Sequence, residues 1–167
     1  MKGINIMTAI TSIRKNQGNG IVTVMLDVFR AQSWKFEELE ENALYRLKFR
    51  LGAGSCNLYA KISPNDGQVL FQSIIDTQAP AGRRLAIAEL FARINYRLSS
   101  GSFDLDFKDG EISYRTSINL EDGLLTQKMA RTLVLVNLSS LDAHLETIMK
   151  VIYGGMEPED ALGLSEL

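Results

Sequence analysis

Few side chains in this sequence have the type and spacing that catalysis needs. The 167 residues contain one histidine, His144, and one cysteine, Cys56. A histidine becomes a general base for a nucleophile only when the two side chains meet, and the sequence places no serine or cysteine to partner His144. Cys56 alternates with the inward residues of a predicted strand, which favours a buried structural thiol. We therefore expect a protein that is not an enzyme, with no catalytic residues.

The sequence supports metal binding and phosphate binding little better than it supports catalysis. Asp104 and Asp106 share one face of a predicted strand, but two carboxylates supply too few ligands for a hard metal ion. Gly52-Ala53-Gly54 does not open a helix, so it is a poor phosphate-binding loop. Arg83 and Arg84 come at the start of a predicted helix, where exposed amides could help them hold an anion, and a plain surface pair is the alternative. The sequence predicts no metal and no cofactor, and it leaves an anion-binding hypothesis at Arg83 and Arg84.

Composition narrows the classes of partner. With 18 basic and 20 acidic side chains the formal charge is -2 and the sequence pI is near 5.5, so nucleic acid is not an expected partner. A lone cysteine forms no internal disulfide, which fits a reducing compartment. No window is long and apolar enough to span a membrane. We expect a cytoplasmic protein with no membrane partner.

A helix and a hairpin between Pro80 and Leu120 organise the chain. The helix begins near Gly82, and its apolar residues recur at spacings of three and four. They form one core face: Ile87, Leu90, Phe91, Ile94 and Leu98. Two alternating runs then flank Asp109-Gly110, a dipeptide typical of tight hairpin turns. A two-residue loop there predicts four cross-strand pairs: Phe107 with Ile112, Leu105 with Tyr114, Phe103 with Thr116, and Asp104 with Arg115.

Alternating patterns indicate three more strands before that helix, at residues 44–51, 56–62 and 69–75. A helix from Ile21 to near Trp34 precedes them, and the glutamate-rich segment from Lys35 to Asn42 reads as a solvated helical turn or a polar connector. These elements predict an α+β fold with a five-stranded antiparallel sheet, a three-strand meander plus the hairpin, in the order α-β-β-β-α-β-β-α. Residues 1–20 are expected to be an N-terminal appendage, and residues 21–167 a single domain.

The last long helix, predicted from about Thr126 to Tyr153, has more apolar surface than one seam requires. Its seam repeats at spacings of four and three: Val134, Leu138, Leu141, Leu145, Ile148 and Ile152. Met129, Leu133 and Val136 project to other sides of its first half. Ordinary core packing against the first helix would explain them, and so would an association surface for a second copy or another protein's helix.

The second half resembles the YbjN family of bacterial proteins. The resemblance lies in the segments 80–84, 94–95, 101–103, 109–111, 114–115, 151–155 and 158–162, and it covers about Trp34 to Leu162. It implies a fold similar to the type III secretion chaperones and a non-enzymatic cytoplasmic protein, since the family is labelled a sensory transduction regulator and has no recognised catalytic residues. Those chaperones are small acidic homodimers that hold client segments along apolar grooves. We therefore predict a chaperone-like or regulatory homodimer with a possible protein client, bound through Met129, Leu133 and Val136; the alternative is a small-ligand sensor for an anion.

Overall fold

The computed structural model describes residues 20–63, 66–120 and 124–163. The helices are α1 (residues 20–31), α2 (Arg84–Arg97), α3 (Gln127–Tyr153) and α4 (Pro158–Gly163), and the strands are β1 (Phe36–Glu40), β2 (Leu44–Leu51), β3 (Gly54–Ser63), β4 (Gln68–Gln78), β5 (Ser102–Leu105) and β6 (Glu111–Asn119). Apart from Gly20, which lies in α1, the expected appendage at residues 1–20 falls outside the described residues. The division into an appendage and one domain stays a prediction.

The strands form one antiparallel sheet in the order β1-β2-β3-β4-β6-β5. The α+β class and the antiparallel sheet with helices packed on it are confirmed. The predicted meander is present as β2, β3 and β4, and the predicted hairpin follows α2. The second strand of the hairpin, β6, pairs with β4. The first strand, β5, therefore lies at one edge of the sheet, and β1 lies at the other.

The prediction of five strands is wrong, because the glutamate-rich segment forms a sixth strand, β1. Its Phe36 ring packs 5.5 Å from the ring of Phe29 and 6.0 Å from that of Tyr45. The glutamates also have partners, since Glu37 is paired with Arg46 of β2 and Glu38 accepts a hydrogen bond from the Tyr45 hydroxyl at 3.0 Å. One partly buried aromatic residue and two cross-strand partners outweigh the low strand propensity of glutamate.

The predicted register of the hairpin is wrong by two residues. Phe103 faces Tyr114 and Leu105 faces Ile112, so the loop contains five residues, 106–110, and Phe107 is exposed. The Gly110 amide donates to the Asp106 carbonyl at 2.8 Å, and the Gly110 carbonyl accepts from the Ala79 amide at 2.8 Å. This docking on Ala79 selects the longer loop. The inward faces are unchanged, because a shift of two residues preserves the alternation.

Helices α1, α2 and α3 cover one face of the sheet. α1 packs over the first core cluster with Tyr45, Leu58 and Phe71, and α2 packs over the second with Phe103 and Tyr114. The 27-residue α3 spans both clusters, and its predicted seam faces the sheet, with Val134, Leu141, Leu145, Ile148 and Ile152 buried. The seam therefore joins two cores that no other described helix connects.

Candidate functional site

Met129, Leu133 and Val136 share one flank of α3. Their spacings of four and three place them within about 60° of each other around the helix axis. All three are partly buried, and Met129 and Leu133 pack against the first core cluster. Core packing thus uses part of this apolar surface and leaves the remainder exposed to solvent.

The position of α2 explains why this flank keeps exposed surface. α2 is tied to the C-terminal half of α3, since the Arg83 Nε donates to the carbonyl of Val151 at 2.9 Å. Phe103, which stacks on Phe91 of α2, also meets the His144 ring at 5.4 Å between ring centroids. These two contacts, made at the start of α2 and by β5, lie more than a turn beyond Val136. Leu124, just before α3, is among the most exposed apolar residues, at 76%.

Arg83 and Arg84 lie side by side, but their donors are engaged by backbone carbonyls. Arg83 binds the carbonyl oxygens of Val151 and Met156, at 2.9 and 2.6 Å. Arg84 donates to the carbonyl of Phe107 at 2.9 Å and to that of Ala79 at 3.2 Å. The two arginines thus fasten the start of α2 to the end of α3 and to the β5–β6 loop. The anion-binding hypothesis at this pair stays a prediction, and an anion there would compete with these bonds.

His144 and Cys56 are both placed within the packing. His144 Nδ1 lies 2.8 Å from the carbonyl oxygen of Ser140, one turn earlier in α3. Cys56 is fully buried in β3, and burial raises the pKa of its thiol to about 11. A thiol with that pKa is protonated at neutral pH and therefore a poor nucleophile.

The face of the sheet opposite the helices has polar and charged side chains together with a few apolar ones, such as Leu70 and Ile74. Two ion pairs on this face cross neighbouring strands: Glu37 with Arg46, and Asp104 with Arg115. The Nε and Nη2 atoms of Arg115 lie 2.6 and 2.9 Å from the two carboxylate oxygens of Asp104. The predicted pairing of Asp104 with Arg115 is therefore present, although it runs diagonally because Arg115 stands opposite Ser102.

A cavity of about 500 Å³ lies beside β1 and β2 on this face, which none of the described helices covers. It is lined by Lys35, Phe36, Glu37, Arg46, Lys48 and Asn57. The sequence analysis missed this grouping, because Lys35 and Glu37 come to lie here only when residues 36–40 form β1, and that segment is predicted to be a solvated helical turn or a polar connector. The outward alternation of Arg46, Lys48 and Arg50 on β2 was the available signal.

Comparisons with known proteins give a family and a fold. The sequence model of the YbjN family, described as "Putative bacterial sensory transduction regulator", matches residues 22–147. A solved structure described as "Crystal structure of YbjN, a putative transcription regulator from E. coli" is 15% identical to this chain, with a TM-score of 0.50, and the match covers 71% of this chain and 89% of that chain. No curated protein sequence matches. Within the described residues, no helix is long and apolar enough to cross a membrane.

Proposed function

This chain belongs to the YbjN family, and from that membership we propose that it is a regulatory protein-binding module, chaperone-like in mode of action, that works as a homodimer. The family description names a regulator and no reaction. The partner, in this proposal, binds the flank of α3 defined by Met129, Leu133 and Val136. The observation that carries it is that these three apolar side chains form a continuous strip that the intramolecular core covers only in part.

We also propose that the fold is of the type III secretion chaperone kind. Without β1, the elements from α1 to α3 follow the order α-β-β-β-α-β-β-α, which supports that likeness. β1 would then be an addition at the sheet edge. The proposal of a cytoplasmic location follows from the same likeness and from the lone cysteine.

The strip has the geometry that helix recognition uses. Anchors at positions i, i+4 and i+7 allow an amphipathic helix to pack along α3, and a second copy of α3 offers the same anchors. A two-fold interface requires the same patch on both subunits, which an extended strip on a single helix satisfies. A second copy of this chain is therefore the simplest partner for the strip, and a helix of a client protein is the alternative.

The test compares Val136→Asp with Leu135→Asp by sedimentation equilibrium. Leu135 is the matched control, because it is 38% exposed on the same helix but lies about 100° away around the axis. The proposal expects a wild-type dimer, a folded Val136→Asp variant whose dimer dissociation constant rises by roughly 30-fold or more, and an unchanged Leu135→Asp variant.

Circular dichroism on the same samples separates the outcomes. A wild-type monomer at every concentration would rule out the homodimer. Unfolding of Val136→Asp would assign Val136 to the core, and Val136→Ser, a milder change, then repeats the comparison. Affinity capture from native lysate with both aspartate variants identifies a client if one protein disappears only with Val136→Asp.

A further inference from the structure

On the sheet face that no described helix covers, two cations of neighbouring segments oppose each other. Phe36 of β1 faces Leu47 of β2, and the antiparallel register continued by one residue sets Lys35 opposite Lys48. Since Phe36 points into the core, Lys35 and Glu37 point outward, toward the same side as Arg46 and Lys48. Like charges directly opposed across strands destabilise a sheet.

No carboxylate compensates this pair within the described ranges 20–63, 66–120 and 124–163. Neither Lys35 nor Lys48 forms an ion pair there. The contrast with the rest of the face is clear, because Arg46 and Arg115 each have a carboxylate partner on a neighbouring strand. Glu37, the acid that lines the cavity, is engaged by Arg46, and the nearby Asp76 carboxylate is hydrogen-bonded by Ser55 and Asn57.

The two lysines line one cavity with polar surroundings. Its volume of about 500 Å³ lies in the range that small ligands occupy. Asn57 stands directly opposite Lys48 on β3 and adds an amide donor, which also reaches Asp76 at 3.3 Å. With Glu37 and Arg46 neutralising each other, the cavity has the charge of its two lysines, in a chain whose formal charge is -2.

We propose that this cavity is a binding site for the phosphate group of a small molecule, held between Lys35 and Lys48 with Asn57 as a further donor. A phosphate dianion matches the charge of the two ammonium groups and replaces their repulsion with two attractive contacts. Lysine binds phosphate as a compact charge with three rotatable donors, so no fixed fork geometry is needed. The site is on the sheet face opposite α3 and does not rest on the proposed protein-binding strip.

The test is calorimetric titration of the full chain with inorganic phosphate, pyrophosphate and citrate at constant ionic strength. The variants are Lys48→Gln and Lys35→Gln, and the control is Lys61→Gln, an exposed lysine of the same face that stands opposite Leu44 and Leu70 outside the cavity. We expect saturable binding of phosphate or pyrophosphate that weakens roughly fivefold or more in each cavity variant and is unchanged in Lys61→Gln.

Thermal melting in the absence of anions shows whether each variant is folded, so that a loss of binding is not mistaken for a loss of folding. Lys48→Gln should melt at or above the wild-type temperature, because it removes the repulsion. Phosphate should raise the melting temperature of the wild type and of Lys61→Gln equally, and that of the two cavity variants less. Equal weakening in Lys61→Gln would reduce the effect to general charge and overturn the site. So would the absence of saturable phosphate binding, and citrate binding as tightly as pyrophosphate would overturn the assignment to phosphate. Dimerisation is expected to be the same in all three variants.

Discussion

Replacement of Asn137 tests the buried polar cluster that joins α3 to the sheet. Asn137 is fully buried, and its Nδ2 atom lies 3.2 Å from three acceptors: the carbonyls of Phe71 and Tyr114 and the Thr116 hydroxyl. Its Oδ1 accepts a hydrogen bond from the Ser73 hydroxyl at 2.5 Å. One side chain thus binds the neighbouring strands β4 and β6 to the middle of α3.

Asn137→Ala removes every one of these bonds and leaves a small polar cavity. The Ser73 hydroxyl and the Thr116 hydroxyl lose their partner on α3, and a buried polar group left unpaired costs about 1–3 kcal/mol. Because packing contacts are lost as well, we expect the free energy of unfolding to fall by about 3–5 kcal/mol. For a chain of this length each kcal/mol lowers the melting temperature by about 2–4 °C.

Urea unfolding followed by circular dichroism measures this difference. Ser139→Ala is the control, because Ser139 is exposed on the same helix, and it should change stability by less than about 0.5 kcal/mol. The double variant with Ser73→Ala should show a coupling of at least about 0.5 kcal/mol, since the two side chains share a bond. A loss below about 1 kcal/mol for Asn137→Ala would refute the assignment of a stabilising network.

Two further predictions concern the thiol and the hairpin loop. Because burial raises the pKa of Cys56 to about 11, its thiol is protonated at pH 8, and alkylation by iodoacetamide should be far slower in the native protein than in urea; equal rates would place the thiol at the surface. Gly110 has a φ of +87°, and a Cβ there would lie 2.1 Å from the Ala79 carbonyl oxygen, so Gly110→Ala should cost about 1–3 kcal/mol in the same urea assay. Gly82→Ala, where an added Cβ meets no atom within 4 Å, is its control and should be nearly neutral.

Much of the fold is readable from local periodicity. The core face of α2, the seam of α3 and the alternation in β2 and β3 all have the burial that their spacing predicts. The helix start near residue 126 also follows from local chemistry, since the Thr126 hydroxyl accepts from the Met129 amide. These features depend on neighbours in sequence, which is why a single sequence suffices for them.

The candidate sites were less predictable. Arg83 and Arg84 suggested an anion site from their place before a helix, yet their donors reach carbonyls up to 73 residues away in sequence. Lys35 lies opposite Lys48 only because residues 36–40 form β1. The glutamate-rich composition of that segment indicated a helical turn or a connector instead. Asn137 stood among apolar residues of α3 with no signal of the four polar groups that surround it.

Hydrophobic periodicity reflects burial residue by residue, so it suffices to predict the α+β class, most of the elements and the side of each element that is buried. Which elements contact each other depends on long-range packing. The sixth strand depends on Phe36 packing against Phe29 and Tyr45, and the hairpin register depends on the bonds between Gly110 and Ala79. Periodicity states that a face is covered but not what covers it, so register, strand order and the opposition of two lysines arise only when distant segments pack together.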